Sequence, residues 1–119
     1  MPRIIHFEIN ADEPEKIIEF YKNAFGWDFK KWNGPMDYWL VITGEGEGID
    51  GGIAKAEGEE RIINTIGVDD IDTYIKKVEE NGGTIVREKK AIPGVGWIAY
   101  FIDPEGNVHG MMQNDPKAK

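Results

Sequence analysis

Near the start of the chain Ile5, Phe7 and Ile9 alternate with His6, Glu8 and Asn10. A period of two predicts a strand with one apolar and one polar face. The period then changes. Asp12-Glu13-Pro14 supplies an N-cap candidate with a proline near the first helical turn, and Ile17, Ile18, Tyr21 and Phe25 follow at helical spacing until Gly26 stops the run. Trp27 to Trp32 and Asp37 to Thr43 predict two strands joined through the turn Asn33-Gly34-Pro35. The loop Gly44 to Gly48 is acidic and lacks the Lys and Ser/Thr of a phosphate-binding loop. Ile49 to Ala56 predicts a fourth, glycine-bearing strand, and Glu57 to Glu60 a charged connection.

After that connection the same order of elements begins again. Ile62 to Val68 reads as a strand, Asp69-Asp70 caps a helix carrying Ile71, Tyr74, Ile75 and Val78, and Asn81-Gly82-Gly83 ends it. Thr84 to Ile92, Val95 to Ile102 and Asn107 to Gln113 supply three more strands. Superposing Gly26 on Gly83, a shift of 57 positions, also superposes Asp12 on Asp69, Ile18 on Ile75 and Tyr21 on Val78. The predicted fold class is therefore α+β: a single domain over residues 1–119 built of two β-α-β-β-β modules, at about 4–56 and 61–114. Each module is expected to form a curved sheet with a helix on its convex face, the two sheets leaving a concave trough. Ile5, Phe7 and Ile9 would then lie beneath the first helix, and His6, Glu8 and Asn10 would face the trough.

Composition narrows the chemistry. A 119-residue chain with 40% hydrophobic and 11% aromatic residues can build a core. It has no cysteine, which excludes disulfides, thiolate metal sites and a cysteine nucleophile, so any metal must take His, Asp, Glu or other oxygen ligands. The formal charge of −8 repels phosphate backbones and anionic membranes, which argues against nucleic acid and membrane partners. No export signal precedes the first strand, and the apolar runs fall far short of the roughly 20 residues needed to span a bilayer. A cytoplasmic protein is expected.

Four segments together resemble the vicinal oxygen chelate superfamily, the group of glyoxalases, bleomycin-resistance proteins and extradiol dioxygenases. They are His6 on the first strand, Phe20-Tyr21-Lys22-Asn23-Ala24-Phe25-Gly26-Trp27, Val68-Asp69-Asp70-Ile71-Asp72, and Asp103-Pro104-Glu105-Gly106-Asn107. Gly34-Pro35-Met36-Asp37-Tyr38-Trp39 and Pro93-Gly94-Val95-Gly96-Trp97 are similar to a branch of small glyoxalase-related proteins. The resemblance implies a divalent metal (Mn, Fe, Ni or Zn) held by His and Glu from the first and last strand of each half, with open positions for two neighbouring substrate oxygens. His6 matches the first ligand position. The others fall on Ile63 (or Asn64), on Gly51, Gly52 or Ile53, and on Gly110. One imidazole without partners does not hold a divalent metal, so no metal ligand set is assigned and no cofactor is expected. His109, next to Gly110, should point to the convex side with Met111, because strand faces alternate.

Two readings follow. In one, the chain binds a small aromatic or apolar molecule without the usual metal, in a trough walled by Trp39, Trp97 and Tyr100, with His6 and Glu8 supplying polar contacts. In the other, His6 and Glu8 serve a metal-dependent glyoxalase-like lyase or isomerase, or a dioxygenase-like enzyme, with His6 able to move a proton near neutral pH. His6 is equally readable as a trough-lining histidine bonded to Glu8 or to backbone. Tyr38, Trp39, Trp97 and Tyr100 occupy two strands whose alternation must split each adjacent pair, and core or dimer contacts are the competing use of these rings. The edge strands and the resemblance point to a homodimer.

Overall fold

The computed structural model of the chain describes residues 2–119. In chain order the elements are β1 (Arg3–Ala11), α1 (Pro14–Phe25), β2 (Asp28–Lys31), β3 (Tyr38–Ile42), β4 (Gly51–Lys55), β5 (Ile62–Gly67), α2 (Ile71–Glu80), β6 (Thr84–Ile92), β7 (Gly96–Ile102) and β8 (Val108–Asn114). They form two compact units, one of residues 6–63, the other of residues 64–119 with the start of β1 through Ile5. The β-α-β-β-β order recurs, and the class is α+β. Among the described residues no helix is long and apolar enough to cross a membrane.

In the first unit β2 runs antiparallel to β3, β3 antiparallel to β4, and β4 parallel to β1. Helix α1 starts with Pro14 in its first turn, where a missing N–H costs nothing, and stops at Gly26 in the left-handed conformation (φ 74°), whose N–H bonds to the Lys22 carbonyl. The N-cap position falls on Glu13, which makes no side-chain capping bond; Asp12 instead faces Arg61 at 3.4 Å. One face of α1 packs Ile18 against Val41 and Ile53, with Phe7, Ile9, Trp27, Phe29 and Trp39 around them. Each such side chain removed from water contributes roughly 1.5–3 kcal/mol before the entropy of ordering it. Phe7 and Ile9 thus lie beneath the helix as expected. Ile5 does not. It is 41% exposed, belongs to the other unit, and lies over Gly67, where a Cβ would sit 2.8 Å from the end of its side chain.

In the second unit β5 is parallel to β8, and β8 to β7 and β7 to β6 are antiparallel. Ile71, Ala99 and Met111 form the core under α2, flanked by Tyr74, Ile75, Trp97 and Phe101 among others. Asp70 holds the N-cap position, yet its carboxylate accepts from the Thr73 hydroxyl at 2.9 Å. The first helical N–H, that of the fully buried Ile71, donates at 2.9 Å to the side-chain oxygen of Gln113 on β8. A residue remote in sequence therefore performs the capping that a local Asp was expected to perform. Between β7 and β8 the Asp103 carboxylate accepts from the N–H groups of Glu105 and Asn107 and from the Asn107 amide, so the turn closes on itself.

Strand β6 carries register shifts between Ile85 and Arg87 and between Arg87 and Lys90. Arg87 lies over the Tyr100 ring at 5.1 Å, whereas Lys89 lies over Trp97 at 4.6 Å and bonds Asp72 of α2. Residues two apart on a regular strand share a face; the irregularity sends these two cations to opposite faces.

Because Gln113 satisfies a buried donor at the start of α2, Gln113→Ala is expected to lower unfolding free energy by about 1–2 kcal/mol. Urea unfolding should show this as a lower midpoint with an unchanged slope.

Candidate functional site

Strand pairing in the first unit decides which side chains meet. Phe7 is level with Gly51 and Ile9 with Ile53 on the helix side, so Glu8, level with Gly52, and Asn10, level with Ala54, take the opposite side together with His6. On β3 Trp39 and Val41 belong to the core under α1, which turns Tyr38, Leu40 and Ile42 to the His6 side. The His6 Nε2 and the Tyr38 hydroxyl stand 2.8 Å apart, a hydrogen bond that joins β1 to β3 across β4.

That bond depends on the residue between them. A Cβ at position 52 would lie 1.8 Å from the Tyr38 hydroxyl oxygen and 2.2 Å from the ring carbon bearing it. Glycine is the residue that lets the phenol lie across β4. Beyond β2 the chain continues level with Tyr38: the Trp32 N–H donates to the Tyr38 carbonyl at 2.8 Å, and the two rings meet edge to face at 6.0 Å. Trp32 in turn covers Gly34, where a Cβ would fall 2.2 Å from its ring. Leu40 and Ile42 are left 36% and 42% exposed on this side.

Burial pushes the His6 imidazole below its ordinary value of 6.5, partly opposed by the negative charge of Asp50. The neutral ring is thus the favoured form at neutral pH. With Nδ1 protonated the phenol donates to Nε2; with Nε2 protonated the ring donates to the phenol oxygen. Asp50 is held in place at the neck of the acidic loop, accepting from the Thr43 N–H at 2.8 Å and the Thr43 hydroxyl at 3.2 Å.

The second unit repeats the glycine motif. Thr65, Gly110 and Tyr100 are level on β5, β8 and β7, and a Cβ at 110 would lie 3.2 Å from the Tyr100 ring and 3.5 Å from the Thr65 hydroxyl. Arg87 covers that tyrosine from β6. His109 turns to the helix side, 5.9 Å from Phe101, and its Nδ1 is buried without a hydrogen-bond partner among the described residues.

These placements revise the aromatic wall drawn from the sequence. Trp39 packs against the core of the first unit; its outer edge lines a cleft with Asp12, Glu13, Asp37 and Lys55, and Lys31 lies 5.0 Å over the ring. Trp97 packs against the core of the second unit and donates its indole N–H to Asp115 at 3.1 Å. Within its own unit Trp39 lies opposite the His6 side, and within its own unit Trp97 lies opposite the Tyr100 side. His6 and Glu8 do share one side, but the His6 Nε2 bonds Tyr38. Of the residues that form this side, sequence reasoning passed over Trp32, left the facing of Tyr38 open, and read Gly52 as one of three positions where a metal ligand is missing.

The repeated β-α-β-β-β order, with a helix on one side of each half and polar groups on the other, defines an α+β scaffold of paired modules. The chain belongs to the Glyoxalase/Bleomycin resistance protein/Dioxygenase superfamily, whose family profile matches residues 3–109. A glyoxylase-like domain-containing protein of Didymella fabae is 32% identical over 92% of this chain and 91% of its own. A probable lactoylglutathione lyase of Vibrio cholerae is 30% identical over 94% of this chain and 91% of its own. Among solved structures, a hypothetical protein of Bacillus halodurans superposes with a TM-score of 0.74 at 17% identity, covering 99% of this chain and 98% of its own. A methylmalonyl-CoA epimerase of Mycobacterium tuberculosis gives 0.68 at 17% identity, over 95% and 88%. At such identities the structures support the fold alone.

The donor set does not fit the divalent metal that the superfamily implies. At the fourth-strand and last-strand positions on the sides opposite the helices stand Gly52 and Gly110, which have no side chain to offer. Among the described residues no group of three or more His, Asp or Glu side chains converges.

Two tests follow. Gly52→Ala should force Tyr38 off β4 and cost about 1–3 kcal/mol, seen as a lower melting temperature together with a shifted His6 imidazole NMR signal. Because the folded His6 binds its proton less readily than the unfolded one, its contribution to stability is complete above pH 6.5 and is lost as pH falls below it toward the depressed folded value. Urea midpoints measured from pH 7.5 down to 5 should therefore fall less steeply in His6→Asn than in the parent.

Proposed function

We propose that the chain binds a small apolar or aromatic molecule on the His6 side of its first unit, without the divalent metal usual in the superfamily. The Gly52 position carries this reading: where a metal ligand would project, the chain has no side chain, and the Tyr38 hydroxyl lies there instead, bonded to His6. Trp32, Leu40 and Ile42 provide apolar surface beside that polar pair, and Glu8 and His6 are its polar contacts on β1. On the second unit Tyr100 with Arg87 offers an aromatic surface. Apolar walls with a few polar groups suit small-molecule recognition.

The second reading is a metal-dependent lyase or isomerase using His6 and Glu8. It is favoured by the shared side of those two residues and by the 30% identity to the Vibrio cholerae protein.

Elemental analysis of protein purified without chelator, followed by titration with Mn, Fe, Ni and Zn, separates the two. The metal-free reading expects less than a tenth of an equivalent of metal and no saturable binding below about 100 μM, in a site lacking the closed ligand sets of tight metal centres. Stoichiometric metal lost on His6→Ala would establish the second reading instead.

We further propose a homodimer, supported by Phe20 and Phe25 of α1, left 59% and 64% exposed. Light scattering at micromolar concentration should return twice the 13.4 kDa chain mass; a monomer mass refutes it.

A further inference from the structure

We infer that the second unit binds a small aromatic carboxylate on the side of its strands opposite α2, with the carboxylate on Arg87 and a polar group at the ligand's other end on the Thr65 hydroxyl. The inference concerns the second unit alone and does not depend on the ligand proposed for the first.

Arg87 stands on β6 level with Tyr100 of β7, and its guanidinium lies over that ring at 5.1 Å. A stacked guanidinium keeps the N–H groups of its rim available, and their fork matches the two oxygens of a carboxylate. Lys31 and Lys89 also lie over aromatic rings, but an aspartate holds each of them, at 3.4 and 3.1 Å. Arg87 makes no ion pair with another described residue. The ring fixes the cation and leaves its counter-ion to a ligand.

Charge on this side of the second unit is positive, although the chain as a whole carries −8. Lys90, level with Ile98, is a second cation on the side of Tyr100. Strands β5, β7 and β8 carry no carboxylate, and β6 carries one, Glu88. At the register shift Glu88 and Lys89 together oppose Ala99, which belongs to the core under α2. At the strand ends the Asp103 carboxylate is taken up by its own turn and that of Asp115 by the Trp97 indole on the helix side. Acidic groups farther off are screened over a Debye length of about 8 Å at physiological salt. A monoanion also meets half the long-range repulsion that a phosphate dianion would meet, which favours the carboxylate.

The other end of the site is a buried hydroxyl. Thr65 is 5% exposed, yet its hydroxyl makes no hydrogen bond with another described residue. It is level with Gly110 of β8, which is level with Tyr100. A Cβ at 110 would lie 3.2 Å from the Tyr100 ring and 3.5 Å from the Thr65 hydroxyl, so glycine leaves bare the backbone between the two. An unpaired buried hydroxyl is costly, and a ligand oxygen over Gly110 would supply its partner. Two strand spacings separate β5 from β7, roughly 10 Å, a span that a benzene ring with a polar group and a hydrogen bond at each end can bridge. Ile98 and Met112, half-buried on this side, provide apolar surface for the ring.

The test titrates the full chain at pH 7.5 with 4-hydroxybenzoate, benzoate, 4-hydroxybenzamide and inorganic phosphate, reading the Arg87 Nε–H and Gly110 N–H signals by NMR. The hydroxybenzoate is expected to bind about five- to tenfold more tightly than its neutral amide and about threefold more tightly than benzoate. Arg87→Gln should abolish the first preference and Thr65→Val the second. Raising NaCl from about 20 to 300 mM should weaken both carboxylates and leave the amide unchanged. Because the Thr65 hydroxyl is unpaired in the free protein, Thr65→Val should keep or raise the melting temperature; a fall would mark the hydroxyl as structurally bonded and overturn its assignment to the ligand. If Arg87→Gln fails to fold, Lys90→Gln should still narrow the carboxylate preference about twofold. The inference is overturned by an amide that binds as tightly as the carboxylate, by phosphate binding more tightly than either, by a preference that survives its variant, or by the absence of shifts at both signals up to about 10 mM probe. Shifts confined to residues 6–63 would likewise overturn it, while supporting the ligand reading of the first unit.

Discussion

A strand in the middle of a sheet normally presents a side chain at every second residue, and β4 gives that up at Gly52 so that a phenol can cross it. The remaining features of the first unit's polar side depend on that missing methyl. Tyr38 reaches over β4 to β1, which places its hydroxyl on the His6 ring. Burial of that imidazole favours its neutral form. Trp32 then finds a partner edge to pack against, and Gly34 supplies the room beneath that indole. A substituent at either glycine would collide with an aromatic ring rather than merely crowd it.

The same geometry bears on the donor set: among the described residues no group of three or more His, Asp or Glu side chains converges. A chelating side chain and an overlying phenol compete for one volume above β4, and they cannot both occupy it. The second unit is consistent with this exclusion on its own strands, where Gly110 lies beside Tyr100. In each unit the first and last strands are parallel neighbours.

Much of the architecture was legible in the sequence because it is written in periods and punctuation. The switch from alternating Ile5, Phe7 and Ile9 to the helical spacing of Ile17, Ile18, Tyr21 and Phe25 marks β1 and α1, and Gly26 adopts the left-handed stop that its position suggests. The Asp103 to Asn107 segment is recognisable because its side chains satisfy its own backbone, which makes it a signature of a turn and not of an activity. The site was harder to read. On β3 and β7 both alternating sets are apolar, Trp39 and Val41 against Tyr38 and Leu40, Trp97 and Ala99 against Ile98 and Tyr100. Alternation therefore splits the rings without saying which set meets the helix. The signal that would have decided it lies on the neighbouring strand: a large ring crossing a sheet needs a glycine level with it or one strand away, and Gly52 and Gly110 mark Tyr38 and Tyr100. Capping by Gln113 left no local trace at all, because its partner is 42 residues distant.

The irregular register of β6 has a bearing on how such a protein can diversify. An outer strand that is paired on one edge tolerates a gained or lost residue without disturbing the packed interior, since the ladder re-forms on either side of the slip. In β6 that slip decides that Arg87 stands with Tyr100 while Lys89 stands with Trp97 and Asp72. Removing or adding one residue there would exchange the cation displayed beside Tyr100 for its neighbour and leave Ile71, Ala99 and Met111 where they are. The side chains displayed on this strand can thus be changed by sliding it, a change of one codon in length, as readily as by replacing one of them.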